Sequence, residues 1–335
     1  MNEASTITPE HKAPVLSAPL TSVQPGGGIC YRLELLWGSA RRWYLKTFRK
    51  GYIERMRQRR RGSTDGAPHE ILDPRDLKYC RNQCTCEWDT ADDPFVWRER
   101  IPLARWGLAE VQLMSYPLVA VALLCFWLGW PIVALLPLLG AVLVVYFFRD
   151  PPRRVPQTSG TVVAPADGRV VEITPLPHDN FLGGPAVRVG IFLSVFNVHI
   201  NRAPVAARAV GFDYRPGKFL NALDPLSAVE NESLRVDFEG LEQPRRRYAV
   251  RQIAGLLARR IVCGLRPGEE VGRGAKFGMI KLGSRTELIL PDEDACRIVA
   301  SVGQRVRAGM SVVAQWDTGE VELEATSMAA DESPQ

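Results

Sequence analysis

Apolar and polar residues alternate in three successive regimes along the chain. Over residues 33–61, aromatic and aliphatic positions are interleaved with Lys and Arg at helical spacing. This predicts a basic amphipathic helix with Trp37, Tyr44, Leu45, Phe48 and Ile53 on its apolar face. Such a helix suits a membrane interface, where each basic residue near anionic lipid adds about 1 kcal/mol, or packs as a charged helix on a neighbouring domain. The second regime, Ser115 to Phe148, holds 34 residues and no charge. As helix it would reach roughly 50 Å, too long for one straight span of about 20 residues and short for two. Gly129, Pro131 and Pro137 interrupt its middle, which predicts a hairpin. Beyond Pro156 the pattern breaks into short β-branched runs punctuated by Gly and Pro, the signature of a mainly β domain.

These regimes divide the chain into a disordered tail (1–28), a basic helical, cysteine-containing extension (29–114), an apolar membrane hairpin (115–149), a β-rich catalytic domain of sandwich or barrel-like form (150–320) and a second disordered tail (321–335). The first residues lack an apolar core and do not resemble a secretory signal. A buried helix pair is the competing reading of the hairpin, but an uncharged run of this length favours lipid. Arg98, Arg100 and Arg105 precede it and Arg149, Arg153 and Arg154 follow it, so both ends are expected on the cytoplasmic side. The net charge of +5 is modest, and its concentration beside the apolar run favours an anionic membrane over nucleic acid.

Seven cysteines without a signal peptide argue against a disulfide framework and for a reducing compartment. Cys80, Cys84 and Cys86 invite a zinc reading, with His69 as the nearby fourth donor. Their spacing is not that of paired C-x2-C knuckles, so reduced structural thiols, with no metal, are expected.

Three positions in the β domain carry candidate chemistry. Gly283-Ser284 lies between apolar runs and reads on its own as a turn. Asp167 sits in an Asp-Gly pair that suits a hairpin. His199 ends the run FLSVFNVH and is the histidine of the predicted strands, His178 falling in a loop. A serine, a histidine base and an aspartate to orient it form the minimum set for activating a hydroxyl.

The blocks YFFRDPPRRVP, VVAPADGRVV, FLSVFNVHINRAP, YRPGKFLNALDPLSAVENES, GLLARRIVC, KFGMIKLGSRTELILP and VGQRVRAGMSVVA, in that order between Pro117 and Ala314, resemble the phosphatidylserine decarboxylase proenzymes, above all their short bacterial and archaeal subfamily. The resemblance implies self-cleavage between Gly283 and Ser284. The Ser284 hydroxyl would attack the Gly283 carbonyl, the ester would break by β-elimination, and the dehydroalanine would hydrolyse to a pyruvoyl group and ammonia. It further implies that Asp167 orients His199 and that His199 takes the proton from Ser284. Residues 1–283 and 284–335 would then form a large and a small fragment held as a heterodimer. The covalent, self-generated pyruvoyl would form a Schiff base with phosphatidylserine and yield phosphatidylethanolamine and carbon dioxide at the cytoplasmic face of the cell membrane.

Phe196 stands where longer bacterial members carry a further histidine, so that residue's role does not transfer. Residues before the hairpin have no matched counterpart. Two other readings are a non-enzymatic lipoyl- or biotinyl-like membrane adaptor, suggested by APADGRVVEI and VGQRVRAGMSVVA, and a pyruvoyl decarboxylase of a soluble amino acid. The first lacks its carrier-lysine hairpin here, and the second is disfavoured by the apolar hairpin.

Overall fold

The computed structural model describes residues 28–80, 84–221, 224, 226–256, 260–281 and 284–317. The expected tails therefore lie outside the described residues, apart from Gly28, which begins a helix. The extension opens with α1 (Gly28–Phe48) and α2 (Lys50–Arg59), broken at Arg49. A helical extension is as expected, and of the residues assigned to its apolar face within α1 only Leu45 turns inward. Trp37, Trp43, Tyr44 and Phe48 point outward, while Glu34, Gly38 and Leu45 are buried. The inward stripe of α1 is thus largely polar, and ion pairs from it dock the helix. Arg41 pairs with Asp73 at 2.7 Å and with Asp76 at 2.5 Å, and Arg42 reaches Asp76 at 3.2 Å.

Cys80, Cys84 and Cys86 close a small buried cluster with Ile71. Burial pushes the Cys80 thiol far up and the Cys86 thiol to about 11, so both stay protonated.

The hairpin forms from α3 (Leu108–Trp127) and α4 (Pro131–Phe147). Gly129, at φ 80°, supplies the left-handed residue of the reversal, and Pro131 caps α4 where a missing N–H costs nothing. Pro137 sits inside α4 without ending it. The helix α3 starts at Leu108, before the uncharged run, because Glu110 finds a buried partner described below.

The rest is strand: β1 (Thr161–Val163), β2 (Gly168–Asp179), β3 (Gly184–Leu193), β4 (Ile200–Arg202), β5 (Ala207–Arg215), the single-turn α5 (Ser227–Glu230), β6 (Ser233–Gly240), β7 (Arg247–Ala254), β8 (Arg260–Cys263), β9 (Glu270–Val271), β10 (Lys276–Lys281), β11 (Ser284–Pro291), β12 (Cys296–Ile298), β13 (Arg305–Val306) and β14 (Val312–Trp316). Eight strands in the order β13-β2-β3-β11-β7-β6-β5-β9 make an antiparallel sheet curled as a half-barrel. Two three-stranded sheets, β1-β14-β12 and β4-β10-β8, complete the mainly β fold that the sequence predicts.

The two faces of β11 explain its composition. Leu288 and Leu290 enter the main core with Val236, Phe238, Tyr248 and Val250. Arg285 and Glu287, on the opposite face, join Glu172, Arg188 and Arg251 in an ion network. Strand alternation then assigns Ser284 and Thr286 to the core side.

Candidate active site

The segment between Phe147 and Arg154 fixes the site from the hairpin side. Phe148 O accepts from Ala104 N, and Asp150 N donates to Pro102 O, which ties the end of α4 to the strand-like entry into α3. Arg149 donates to the Phe196 carbonyl at 2.7 Å. The Asp150 carboxylate accepts from Arg202 and from Lys276, each at 2.8 Å, and so clips β4 to β10. Arg153 donates to Asp167 Oδ2 at 2.8 Å. These charges read in sequence as flanks of a membrane segment, and the spatial partners were missed. Pairing across 14 to 126 positions leaves no local signal.

His199 extends β4 by its carbonyl, which accepts from Ile280 N at 3.1 Å. Its ring is fully buried and lies 4.5 Å from the ring of Phe147, the last residue of α4. Nδ1 is 2.9 Å from the Asn197 carbonyl oxygen. A carbonyl only accepts, so Nδ1 carries the hydrogen and the lone pair resides on Nε2. Burial, aided by the nearby Arg149 and opposed by the Asn197 bond, lowers the imidazole to about 4 and keeps it neutral at physiological pH.

Ser284 is the first residue of β11, paired with Leu193 on β3 and Ala254 on β7. The turn expected there is corrected in part: Ser284 is strand, held on both sides, while Gly283 lies outside the described residues. The Ser284 hydroxyl is fully buried and has no hydrogen-bond partner among the described residues. An unpaired buried hydroxyl is costly and marks a site with a task.

Thr286 and Asn201 link the two chain segments. Asn201 Nδ2 donates to Thr286 Oγ1 at 3.0 Å, and Gln252 Nε2 donates to Asn201 Oδ1 at 2.8 Å. Asn201, two positions after His199, thus bonds Thr286, two positions after Ser284, at a seam between two of the sheets.

Asp167 occupies a different corner. Its Oδ1 accepts from Ala308 N at 2.8 Å and its Oδ2 from Arg153. The described partner of His199 Nδ1 is the Asn197 carbonyl, while Asp167 engages Ala308 N and Arg153. The turn Ser194–Asn197, closed by Asn197 Oδ1 accepting from Ser194 N at 2.9 Å, presents the Asn197 carbonyl to Nδ1.

Beside the seam lies a buried ion cluster. Lys281, at the end of β10, donates to Glu34 of α1 at 2.5 Å and to Glu110 of α3. Arg260 of β8 also reaches Glu34, at 3.2 Å. Burial pushes the Glu34 carboxyl up, but Lys281, Arg260 and Lys78 outweigh it and hold the group well below the usual carboxylate range. Sequence reading left Glu34 and Glu110 unassigned, since a lone Glu on an amphipathic helix is ordinarily solvated.

Comparison with known proteins agrees with this geometry. The family model for phosphatidylserine decarboxylase matches residues 141–314. The phosphatidylserine decarboxylase proenzyme of Rhodopirellula baltica is 51% identical over 243 residues, covering 72% of this chain and 100% of that protein. The proenzyme of Desulfotalea psychrophila is 37% identical over 217 residues (64% of this chain, 97% of that protein), and that of Carboxydothermus hydrogenoformans 38% over 216 residues (64% and 97%). The carrier-domain and soluble amino-acid decarboxylase readings gain no support from these matches. The match runs from the last turns of the hairpin's second helix through the buried histidine and the buried serine, and the chain belongs to the phosphatidylserine decarboxylase family.

Proposed function

We propose that this chain is a proenzyme that cuts itself between Gly283 and Ser284 and then decarboxylates phosphatidylserine to phosphatidylethanolamine. The observation that carries the reading is the Ser284 hydroxyl, buried without a partner at the head of a doubly paired strand. Its neighbourhood fits the chemistry of a keto group. The residues directly opposite it are Ala254 and Leu193, with Thr286 one alternation away on the same strand.

In the cleavage, His199 Nε2 takes the Ser284 hydroxyl proton as the oxygen attacks the Gly283 carbonyl. Desolvation keeps the imidazole neutral at physiological pH, with the lone pair on Nε2. The ester then breaks by β-elimination, and water converts the dehydroalanine at 284 to a pyruvoyl group with loss of ammonia. Residues 1–283 and 284–335 remain together as a heterodimer because β11 hydrogen-bonds β3 and β7 along its length. Asp167 anchors the corner through Arg153 and the Ala308 amide. When present, the pyruvoyl ketone supplies an electron sink for the pair left by departing carbon dioxide.

The substrate is a lipid, and the hairpin suits access to it. Helix Arg105–Trp127 is long and apolar enough to cross a membrane, while Pro131–Phe147 is shorter. Trp127, Ile132 and Leu136 at and near the tip are 75–82% exposed, which aqueous solvent disfavours and acyl chains reward. The base of the same hairpin contacts His199 through Phe147. We therefore assign the hairpin to dip into the cytoplasmic face of the cell membrane, with the outward aromatics of α1 as further interfacial anchors.

Intact-mass analysis of the purified protein tests the reading. Two fragments divided after Gly283, the smaller blocked by pyruvoyl, are expected together with phosphatidylethanolamine formation from phosphatidylserine vesicles. A single chain of 37.3 kDa after prolonged incubation would refute it.

A further inference from the structure

The core face of the half-barrel carries one acid to which self-cleavage gives no task. Ser284 lies directly opposite Ala254. Ala254 N in turn donates to Glu232 O at 2.9 Å, which extends the β6–β7 register one step past the Ser233–Ile253 pair. Residues directly opposite each other in antiparallel strands project to the same face. Glu232, Ala254 and Ser284 thus form one transverse row, with Ala254 the position between the acid and the serine. Two strand spacings separate the outer backbones by about 9–10 Å. A backbone separation of that width suits an amino-acid head group joined at position 284.

Glu232 is 4% exposed, and its Oε1 has no hydrogen-bond partner among the described residues. The groups that act on it are Tyr214 from β5, which hydrogen-bonds the carboxyl, and Arg260 from β8. Burial nevertheless dominates and pushes the carboxyl up to about 7, so both protonation states are accessible under physiological conditions. His199, by contrast, is held neutral and has no spare proton on Nε2.

We propose that Glu232 is the acid that returns a proton to the substrate's α-carbon once carbon dioxide has left. The inference rests on the reading of Ser284 as the pyruvoyl precursor. The bond from the α-carbon to the carboxylate breaks and leaves its electron pair with the carbon side. The Glu232 O–H bond then breaks as the new C–H bond forms, and the resulting carboxylate regains a proton from solvent before the next turnover. If the proton goes instead to the carbon of residue 284, water releases the substrate as an aldehyde and the amine nitrogen stays on the protein, leaving an alanine at the head of the small fragment.

The test is Glu232→Gln in the full-length protein, assayed on phosphatidylserine vesicles. The variant is expected to cut itself, to start with a blocked small fragment, and to form phosphatidylethanolamine at least about a hundredfold more slowly. During turnover an alanine terminus open to Edman sequencing should accumulate. Parent-like turnover with a terminus that stays blocked would overturn the proposal. A second variant holds the question open to refutation if Glu232→Gln does not fold. Tyr214→Phe removes a hydrogen bond that lowers the Glu232 pKa, so the alkaline limb of decarboxylation should move to higher pH; an unmoved limb overturns the assignment. A parent chain that never cuts itself, or makes no phosphatidylethanolamine, would instead refute the proposed function.

Discussion

Replacing Glu34 by Gln should destabilise the protein far more than a surface charge change on a helix would. Glu34 is 3% exposed and holds Lys281 and Arg260, themselves 2% and 1% exposed at the side chain. Removing one partner of a buried ion pair strands its counter-charge, at a cost of about 3–5 kcal/mol. For a domain of this size each kcal/mol moves Tm by about 2–4 °C, so a fall of about 6–20 °C is expected. The comparison belongs in a Ser284→Ala background, where both proteins remain a single chain and cleavage does not alter the melting transition. The pH dependence supplies an internal check. The folded carboxyl sits below its ordinary value of 4.5, so its contribution is complete above that value and is lost as pH falls through the folded pKa. The Tm gap between parent and variant should therefore be full at neutral pH and narrow in acid. A gap smaller than about 2 °C at pH 7 would show that the extension does not lean on this cluster. Because Lys281 ends the strand leading to the scissile bond, the Ser284-containing variant should also mature more slowly, read as uncut chain remaining over time.

Ser284→Ala should leave one uncut chain of 37.3 kDa by intact mass, with no phosphatidylethanolamine formed. His199→Ala should slow maturation by about a hundredfold or more, and the parent's maturation rate should hold steady from neutral pH down to about 5, then fall through about 4 as Nε2 gains a proton. A limb centred at the ordinary 6.5 would remove His199 as the buried base. Trp127→Glu and Ile132→Glu at the hairpin tip should each weaken vesicle co-sedimentation on the order of tenfold or more, given about 1.4 kcal/mol per decade. Unchanged sedimentation of the double variant would show that the hairpin does not enter lipid.

The apolar hairpin and the β domain were legible in the sequence, and so were the serine and histidine proposed as its reacting groups. An uncharged run of 34 residues has few ways to satisfy its surface, and alternating β-branched blocks cannot be reconciled with a helix. The ordered blocks from RDPPRR to VGQRVRAG carried the family. The roles of particular charges were not legible. Asp150 bridges Arg202 and Lys276, and Glu34 meets a lysine 247 positions away, through contacts that exist only once the sheets have closed. The same holds for Ser284, whose Gly-Ser context reads locally as a turn but whose pairing with β3 and β7 makes it strand.

What the sequence determined by itself is therefore periodic and compositional: which segments are apolar helix, which form sheet, and which residue types are available for chemistry. Tertiary structure decided protonation and orientation. It buried His199 beside Phe147, gave its Nδ1 to the Asn197 carbonyl, and set Glu232 in the row of Ser284. The physical reason is that hydrophobic periodicity is a property of neighbours along the chain. Desolvation and ion pairing depend on neighbours in space.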